Sequence, residues 1–192
     1  MDIILVSLFA YISGSIPFGL ILTKIFTGQD IRKKGSGNIG ATNALRTGNK
    51  TIGYTTLILD VLKAIIPLLF IKIYFIDYLY ISSLCVFLGH VFPIWLKFKG
   101  GKGVATYVGI LCCINIYLGV SFGLVWLITF LIFKYSSLSS LIGSFSIPII
   151  NFFIFNDEIV FFFIIMFVLI FYTHRENIKR LLNHTESKTK IY

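Results

Sequence analysis

Long apolar runs, separated by short basic and glycine-rich segments, restrict this chain to a membrane fold. A bilayer core is crossed by about 20 apolar helical residues, and runs of that kind cover residues 3–23, 52–71, 78–96, 138–155 and 159–173. Only 13% of the residues are charged, whereas soluble domains carry about 25%. The sequence therefore predicts an all-α, polytopic membrane protein with a single domain over residues 1–192, and it excludes soluble enzymes and nucleic-acid-binding domains.

The stretch 104–133 decides how many spans the chain has. Its 30 residues would form a helix of about 45 Å, which is too long for one straight span. We therefore predict two short transmembrane helices joined by a turn at residues 115–119. Seven spans with the N-terminus outside place 15 of the 17 basic residues on the inner side, whereas six spans divide them 9 to 7. Because cytoplasmic loops carry excess Lys and Arg, the charges favour seven transmembrane helices and a cytoplasmic C-terminus.

Few residues inside the apolar runs invite a chemical interpretation. Asp60 and Lys63 are three apart on the second run, so they share a helix face and can pair. A lone charge at mid-membrane costs about 2.5–3.5 kcal/mol, and we favour a structural pair over an ion or proton path. The three cysteines are interpreted as packing residues, and no metal or cofactor is expected. The first run lacks a basic leader and is interpreted as a retained helix.

A polar, glycine-rich segment, GSGNIGATNALR at residues 35–46, follows the first apolar run. It begins with G-x-G-x-x-G, but its membrane-helix flanks exclude the βαβ unit that a dinucleotide fold requires. Small residues still let backbone N–H groups approach an anion, and an Arg guanidinium suits phosphate. The alternative is an ordinary flexible loop held at the membrane by basic residues. The candidate phosphate-binding residues are Ser36, Gly37, Asn38, Gly40, Thr42, Asn43 and Arg46.

A second inner segment, KFKGGKGVAT at residues 97–106, resembles part of a P-loop. It lacks both the leading glycine and the Ser or Thr after Gly-Lys, so ATP hydrolysis is not expected. Glycines around a lysine at a helix start still suit a phosphate group. A cluster of inside-positive charges would explain the lysines but not the glycines. The candidate residues here are Gly100, Gly101, Lys102 and Gly103.

Two further polar elements lie on the predicted inner side. His174 and Asn177, after the last apolar run, are three apart and share a helix face. Ser137 and Ser140 belong to a polar patch that also fits simple helix capping. Several phosphate-suited elements thus lie on one membrane face, and we expect them to converge on one pocket for two anionic reactants. Phosphate binding and alignment would then supply most of the catalysis.

Six motifs in chain order resemble the bacterial acyl-phosphate:glycerol-3-phosphate acyltransferase family of seven-helix membrane enzymes. They are SGSIP at 13–17, GSGNIGATN at 35–43, LDVLK at 59–63, GHVFP at 89–93, GGKGVAT at 100–106 and HRENIKRL at 174–181. The resemblance covers essentially the whole chain. It implies transfer of a fatty acyl group from acyl phosphate to the sn-1 hydroxyl of glycerol 3-phosphate. The products would be lysophosphatidic acid and phosphate, at the first acylation step of phospholipid synthesis.

The resemblance also implies roles for particular residues. Ser36 and Arg46 would lie at the glycerol 3-phosphate site. Lys102 and His174 would help to hold its phosphate, and Asn177 would orient it. The three glycines of the second segment would cradle the acyl phosphate, and Ser137 or Ser140 would join the site.

The resemblance places Glu186 on a family carboxylate important for integrity. The family usually has glycine where this chain has His184, which puts a glycine-dependent turn in question. The H-x-x-x-x-D signature of the other glycerol phosphate acyltransferases is absent, so no histidine base of that kind is available. We therefore take a substrate phosphate oxygen as the acceptor of the hydroxyl proton.

Two alternative functions stay open at this stage. A transporter of phosphate or phosphate esters would place its anion site near mid-membrane, with paired repeats, and the sequence has no clear internal repeat. A non-catalytic scaffold that binds anionic lipids would not need the glycines, Ser36 or His174. We expect acyl phosphate and glycerol 3-phosphate as substrates, contact with membrane lipids, no nucleic acid and a monomer. The expected location is the bacterial inner membrane, with the active site facing the cytoplasm.

Overall fold

The computed structural model describes residues 1–46, 49–155 and 159–189, apart from the side chain of Arg46. Lys190, one of the basic residues in the charge argument, lies outside these residues. Within them the secondary structure is helical and contains no β-strand. The chain divides into two compact units, Met1–Cys113 and Ile114–Tyr192, which are called the N-terminal and C-terminal units below.

The N-terminal unit contains six α-helices connected by short 3₁₀ turns. In chain order they are α1 (Asp2–Gly14), α2 (Phe18–Thr27), α3 (Ala41–Arg46), α4 (Lys50–Tyr74), α5 (Leu79–Val91) and α6 (Val104–Ile114). The first apolar run therefore forms two helices rather than one. Its break falls directly before α2 at Pro17, whose ring lacks the N–H needed to continue a helix.

Helices α1 and α5 pack closely because glycine occupies their contact. A Cβ atom on Gly14 would overlap the backbone of Val86, and one on Gly89 would overlap the carbonyl of Tyr11. Small residues let helix backbones approach in this way in membranes, where packing drives helix association. The Tyr11 hydroxyl donates to the Phe92 carbonyl at 2.7 Å, which ties α1 to the end of α5.

The C-terminal unit contains four α-helices and one π-helical segment. These are α7 (Ile116–Phe133), α8 (Ser136–Ile150), the π segment Asn151–Phe155, α9 (Val160–Thr173) and α10 (Arg175–Leu182). The predicted break in 104–133 is confirmed, but its predicted extent is wrong. Asn115 alone interrupts the helices, because its Oδ1 accepts the Tyr117 amide at 2.9 Å and so caps α7 from the first turn.

Four helical stretches among the described residues are long and apolar enough to cross a membrane. They are Asp2–Thr27, Ile76–Leu96, Ile116–Phe133 and Ser136–Phe155, and the pair α9 and α10, bent by 64°, would be a fifth. Helix α4 has 25 residues but carries Asp60, Lys63 and Lys72. The polytopic all-α membrane fold is confirmed, whereas seven spans and their orientation stay predictions.

Candidate functional site

The loop between α2 and α3 is organised around the buried side chain of Asn43. Its Oδ1 accepts the Ser36 amide at 2.9 Å. Its Nδ2 donates to the carbonyls of Ile31, Lys34 and Asn38 at 3.2, 3.0 and 2.8 Å. Asn43 is only 2% exposed, so it binds the loop rather than solvent. The sequence assigned Asn43 to substrate, and the structure gives it four bonds within the protein.

Ser36 lies exposed in this loop, with its backbone fixed by Asn43. Gly37 next to it has a φ of 72°, a conformation that favours glycine, and its N–H donates to the Lys34 carbonyl at 2.9 Å. Asn38 accepts the Gly40 amide at 2.9 Å. Thr42 and Arg46 lie on α3, which follows directly. The hydroxyl of Ser36 is therefore presented by a braced loop.

Apolar side chains anchor the same loop to the helices beneath it. Buried Ile31, Ile39 and Ala44 pack with Ile52 of α4, and Leu20, Leu22 and Leu96 lie against this cluster. Leu96 lies in the 3₁₀ turn directly before the second glycine-rich segment, so the cluster anchors the first segment and the residue that leads into the second.

Asp30 begins the 3₁₀ turn at the start of this loop. Its side chain accepts the Arg32 amide at 3.0 Å and pairs with the Arg32 guanidinium at 2.7 Å. The hydrogen bonds from the side chain and backbone of Arg32 lower the pKa of Asp30 to about 2. The pair is solvent-exposed, so its role is to shape the turn rather than to contribute much stability.

In the second segment, glycine is required by close packing against α5. The N–H groups of Gly100 and Gly101 donate to the carbonyls of Val91 and His90 at 3.0 and 3.1 Å. A Cβ on Gly101 would overlap the His90 imidazole, and one on Gly103, whose φ is 84°, would overlap the Phe87 ring. A cluster of inside-positive charges would explain the lysines of this segment but not its glycines. These packing contacts explain why glycine is needed there.

Lys102 lies half-buried between these glycines, directly before α6 begins. The N-terminus of α6 follows one residue later, where the Gly103 carbonyl accepts the Tyr107 amide at 2.8 Å. A helix N-terminus beside a lysine favours an anion, because the unpaired N–H groups and the helix dipole both carry positive charge. The arrangement suits phosphate, as the sequence predicted.

Asp60 and Lys63 form the buried ion pair that their spacing predicted. Their carboxylate and ammonium groups are 2.8 Å apart, and both side chains are 3% exposed or less. Lys63 also donates to the Ile16 carbonyl at 2.8 Å, in the break between α1 and α2. These partners are protein groups, one on the same helix and one in the break before α2, which agrees with the structural interpretation of the pair.

In the C-terminal unit, His174 lies at the bend between α9 and α10 and is 2% exposed. Its Nδ1 is 2.8 Å from the Ile170 carbonyl. A carbonyl only accepts, so Nδ1 carries the hydrogen of this bond. Asn177 follows on α10, so His174 lies at the joint and Asn177 on the helix after it, and the two do not belong to one continuous helix with α9.

Glu186 accepts hydrogen bonds from three polar side chains of the C-terminal unit. Its carboxylate accepts from Ser137 at 2.8 Å, from Asn177 at 2.7 Å and from Arg180 at 2.6 Å. Burial raises the pKa of Glu186, but hydrogen bonds from Arg180, Asn177 and Ser137 outweigh it, and the pKa ends below its usual range. Glu186 thus holds two predicted site residues, Ser137 and Asn177, in place.

His184 occupies the turn where the resemblance expected glycine. Its φ is 55°, so the left-handed conformation is kept although the side chain disfavours it. The turn is closed by the Thr185 and Glu186 amides, which donate to the Arg180 carbonyl at 2.8 and 3.1 Å. The turn that positions Glu186 is therefore kept, although His184 stands where the family usually has glycine.

Ser140 has partners within the C-terminal unit. Its hydroxyl donates to the Ser136 carbonyl at 2.8 Å and accepts from the Trp126 indole at 3.1 Å. It therefore links α7 and α8, whereas Ser137 contacts Glu186. Among the described residues, no group of three or more His, Cys, Asp or Glu could hold a metal ion.

His90 is the residue of greatest interest that sequence reasoning assigned no role. Its imidazole is 4% exposed, lies 3.9 Å from the Asp60 carboxylate and packs against Gly101. The signal was available in the GHVFP segment, where a histidine stands beside a glycine at the end of an apolar run. Its partners lie far away in sequence, so the spacing did not reveal them.

The fold and these loops define the class: an integral membrane protein that presents a hydroxyl and a lysine from braced, glycine-rich segments. The family model described as glycerol-3-phosphate acyltransferase matches residues 4–184. A glycerol-3-phosphate acyltransferase from Pelagibacter ubique is 66% identical, with both chains covered completely. One from Mesorhizobium japonicum is 46% identical, covering 97% of this chain and 95% of the relative.

Two solved structures of PlsY, described as an integral membrane glycerol 3-phosphate acyltransferase, have the same fold. The glycerol 3-phosphate form superposes with a TM-score of 0.93 at 39% identity, covering 99% of this chain and 96% of PlsY. The lysophosphatidic acid form gives 0.88 at 37% identity, covering 98% and 95%. The chain belongs to the glycerol-3-phosphate acyltransferase family. It is an acyltransferase of phospholipid synthesis, which decides against the transporter and the scaffold.

Proposed function

We propose that this chain transfers a fatty acyl group from acyl phosphate to the sn-1 hydroxyl of glycerol 3-phosphate. The products are lysophosphatidic acid and inorganic phosphate. The observation that carries the proposal is the near-complete similarity to PlsY in its glycerol 3-phosphate form, at a TM-score of 0.93. The braced Ser36 loop and the Lys102 segment at the start of α6 give this chain groups that suit phosphate.

The roles of the residues follow from their chemistry. Ser36 and Arg46 bind glycerol 3-phosphate, through a hydroxyl and through a guanidinium that matches phosphate oxygens. Lys102 and His174 add donors to the phosphate, and Asn177 orients the substrate from the position that Glu186 fixes. Gly100, Gly101 and Gly103 let the backbone come close to the acyl phosphate, with the α6 N-terminus favouring its charge.

The remaining assigned residues support the first loop and the C-terminal unit. Gly37, Asn38, Gly40 and Thr42 shape the segment that presents Ser36, and Asn43 braces it from below. Ser137 contributes to the site through its hydrogen bond to Glu186, and Ser140 contributes by joining α7 to α8. Binding and alignment by these groups supply most of the rate acceleration.

The reaction needs no base from the protein. The sn-1 hydroxyl oxygen attacks the acyl carbonyl carbon, and the bond between that carbon and the phosphate oxygen breaks. The hydroxyl proton passes to a phosphate oxygen of the substrate, so inorganic phosphate leaves with the bonding electrons. Replacing His174 by Gln tests this step. Near-normal turnover at saturating substrate excludes His174 as a required base.

We also propose the topology that the charges favour. Residues 1–192 form a single integral membrane acyltransferase domain with seven transmembrane helices, an outer N-terminus and a cytoplasmic C-terminus. The protein lies in the bacterial inner membrane as a monomer, and its active site faces the cytoplasm. A membrane-impermeant thiol reagent applied to intact cells should label Asp2→Cys and spare Lys188→Cys. Labelling of Lys188→Cys alone would invert this topology.

Purified protein in detergent tests the reaction directly. Phosphate release that requires both acyl phosphate and glycerol 3-phosphate supports the proposal. Transport of glycerol 3-phosphate in proteoliposomes, without acyl transfer, would overturn it. Ser36→Ala, Arg46→Ala and Lys102→Ala should each lose activity by about 100-fold or more, as expected for groups that bind the transition state.

Two exposed basic residues serve as matched controls for these variants. Lys99 lies in the same segment as Lys102, and Lys33 lies in the loop before α3, the helix that carries Arg46; both lysines are exposed. Because surface charges contribute little, Lys99→Ala and Lys33→Ala should keep activity within about twofold. Equal losses in the controls and in the three site variants would refute the site assignment.

A further inference from the structure

Three buried polar side chains lie together beneath the second glycine-rich segment, and the proposed reaction leaves them without a role. Asp60, Lys63 and His90 are each 4% exposed or less. Lys63 is 2.8 Å from the Asp60 carboxylate, and His90 Nδ1 is 3.9 Å from the same oxygen. Buried charges are costly in a membrane and usually serve a function. This set is called the Asp60 cluster below.

The Asp60 cluster connects two interruptions of the helical structure. On one side, Lys63 donates to the Ile16 carbonyl at 2.8 Å, in the break before α2. On the other side, the His90 carbonyl accepts the Gly101 amide at 3.1 Å. The cluster therefore reaches from the first apolar run to the segment that carries Lys102.

The His90 imidazole sets the position of the Gly101 backbone. The three atoms nearest to a Cβ built on Gly101 all belong to the His90 ring, and such a Cβ would overlap it. The ring thus lies in direct contact with the backbone next to Lys102, while its other side is near Asp60. A shift of the ring would move Gly101 and, with it, the lysine that follows.

We propose that Asp60, Lys63 and His90 are positioning residues that hold the backbone at Gly101 and Lys102 where Lys102 meets the phosphate of glycerol 3-phosphate. The inference rests on the proposed function, because Lys102 acts on that phosphate there. None of the three residues touches the substrate. They act by fixing the backbone from beneath, since a group held within a fraction of an ångström binds better than one that must be ordered first.

A double-variant cycle on His90 and Gly101 tests the contact itself. Gly101→Ala should raise the KM for glycerol 3-phosphate by about tenfold or more, because the new methyl displaces the ring. In a His90→Ala background the methyl finds space, so Gly101→Ala should change the KM by less than about twofold. An equal cost in both backgrounds would show that Gly101 acts on the substrate directly, and would overturn the proposal.

Removal of the ion pair tests the rest of the cluster. Asp60→Asn combined with Lys63→Met leaves no unpaired buried charge, which single replacements would. This double variant should raise the KM for glycerol 3-phosphate by about tenfold. It should raise the KM for acyl phosphate as well, because the Gly101 backbone faces that substrate in the proposed site, while kcat stays within about twofold. Lys72→Met is the matched control on the same helix. Lys72 also donates to a backbone carbonyl, that of Cys113 at 2.6 Å, and its replacement should leave both KM values unchanged.

The outcomes separate this inference from the proposed function. An inactive wild-type protein would refute the proposed function and the inference with it. An active wild type whose Asp60 cluster variants elute as monodisperse protein with unchanged KM values would refute the positioning role alone. A fall in kcat without any change in either KM would indicate general damage and also overturn it.

Discussion

Replacement of Asn43 distinguishes a structural residue from a substrate ligand. Asn43 is only 2% exposed, and its four hydrogen-bond contacts use one acceptor and two N–H donors, so they count as about three full bonds. At about 1 kcal/mol for each neutral bond, Asn43→Ala should destabilise the closed loop by about 3 kcal/mol. Asn43→Asp keeps the acceptor for Ser36 but turns a buried carboxylate toward three carbonyl oxygens, so it should cost at least as much.

Hydrogen exchange at the Ser36 amide measures this local stability. Each 1.4 kcal/mol changes an opening equilibrium tenfold, so exchange should accelerate roughly 100-fold in Asn43→Ala and at least as much in Asn43→Asp. Asn49→Ala is the control, since Asn49 is exposed and caps α4 through one bond to the Ile52 amide at 3.1 Å. Wild-type exchange in Asn43→Ala, together with lost activity, would refute the bracing role and make Asn43 a substrate ligand.

Three further predictions concern other turns and contacts. His184→Gly should raise the free energy of unfolding by about 1 kcal/mol, measured in detergent, because glycine adopts a φ of 55° without strain. Glu186→Gln should weaken the hydrogen bond that Asn177 donates to this side chain. Since the folded pKa of Glu186 is depressed, the stabilisation from its charge should be present above pH about 4.3 and decline as the pH falls below it, while Glu186→Gln should show no such decline. Gly103→Ala should lower the Tm and activity together, because its methyl would overlap the Phe87 ring; a normal Tm would contradict that packing.

The helices follow from apolar run length, but their interruptions depend on single residues. Apolar content over residues 3–23 indicated one helix, whereas Pro17 divides the run because it lacks an N–H. The break at Asn115 could be predicted because a helix of that length does not fit the bilayer. Its restriction to one residue depends on a local cap between Asn115 and Tyr117.

The sequence could show which residues belong to the candidate site, but it could not show what each of them does. Sequence reasoning treated the polar residues of the first loop as equivalent donors, since Asn43 and Ser36 look alike in composition. Only the folded loop shows that Asn43 faces three carbonyls while Ser36 is exposed. The glycines near Lys102 were assigned to phosphate, and their contacts with His90 and Phe87 depend on tertiary packing. Such contacts join segments distant along the chain, which no local pattern encodes.

The meeting of Lys63 with the Ile16 carbonyl has a consequence for biogenesis. In lipid, an unpaired carbonyl or ammonium costs several kcal/mol. The Lys63 ammonium has three donors; Asp60 on the same helix takes one of them, and the 2.8 Å bond to the Ile16 carbonyl satisfies a second. Helix α4 gains this partner only when the first run packs against it, so we expect the two segments to associate early in the nascent chain. Membrane insertion of these segments and their packing against each other are thereby coupled.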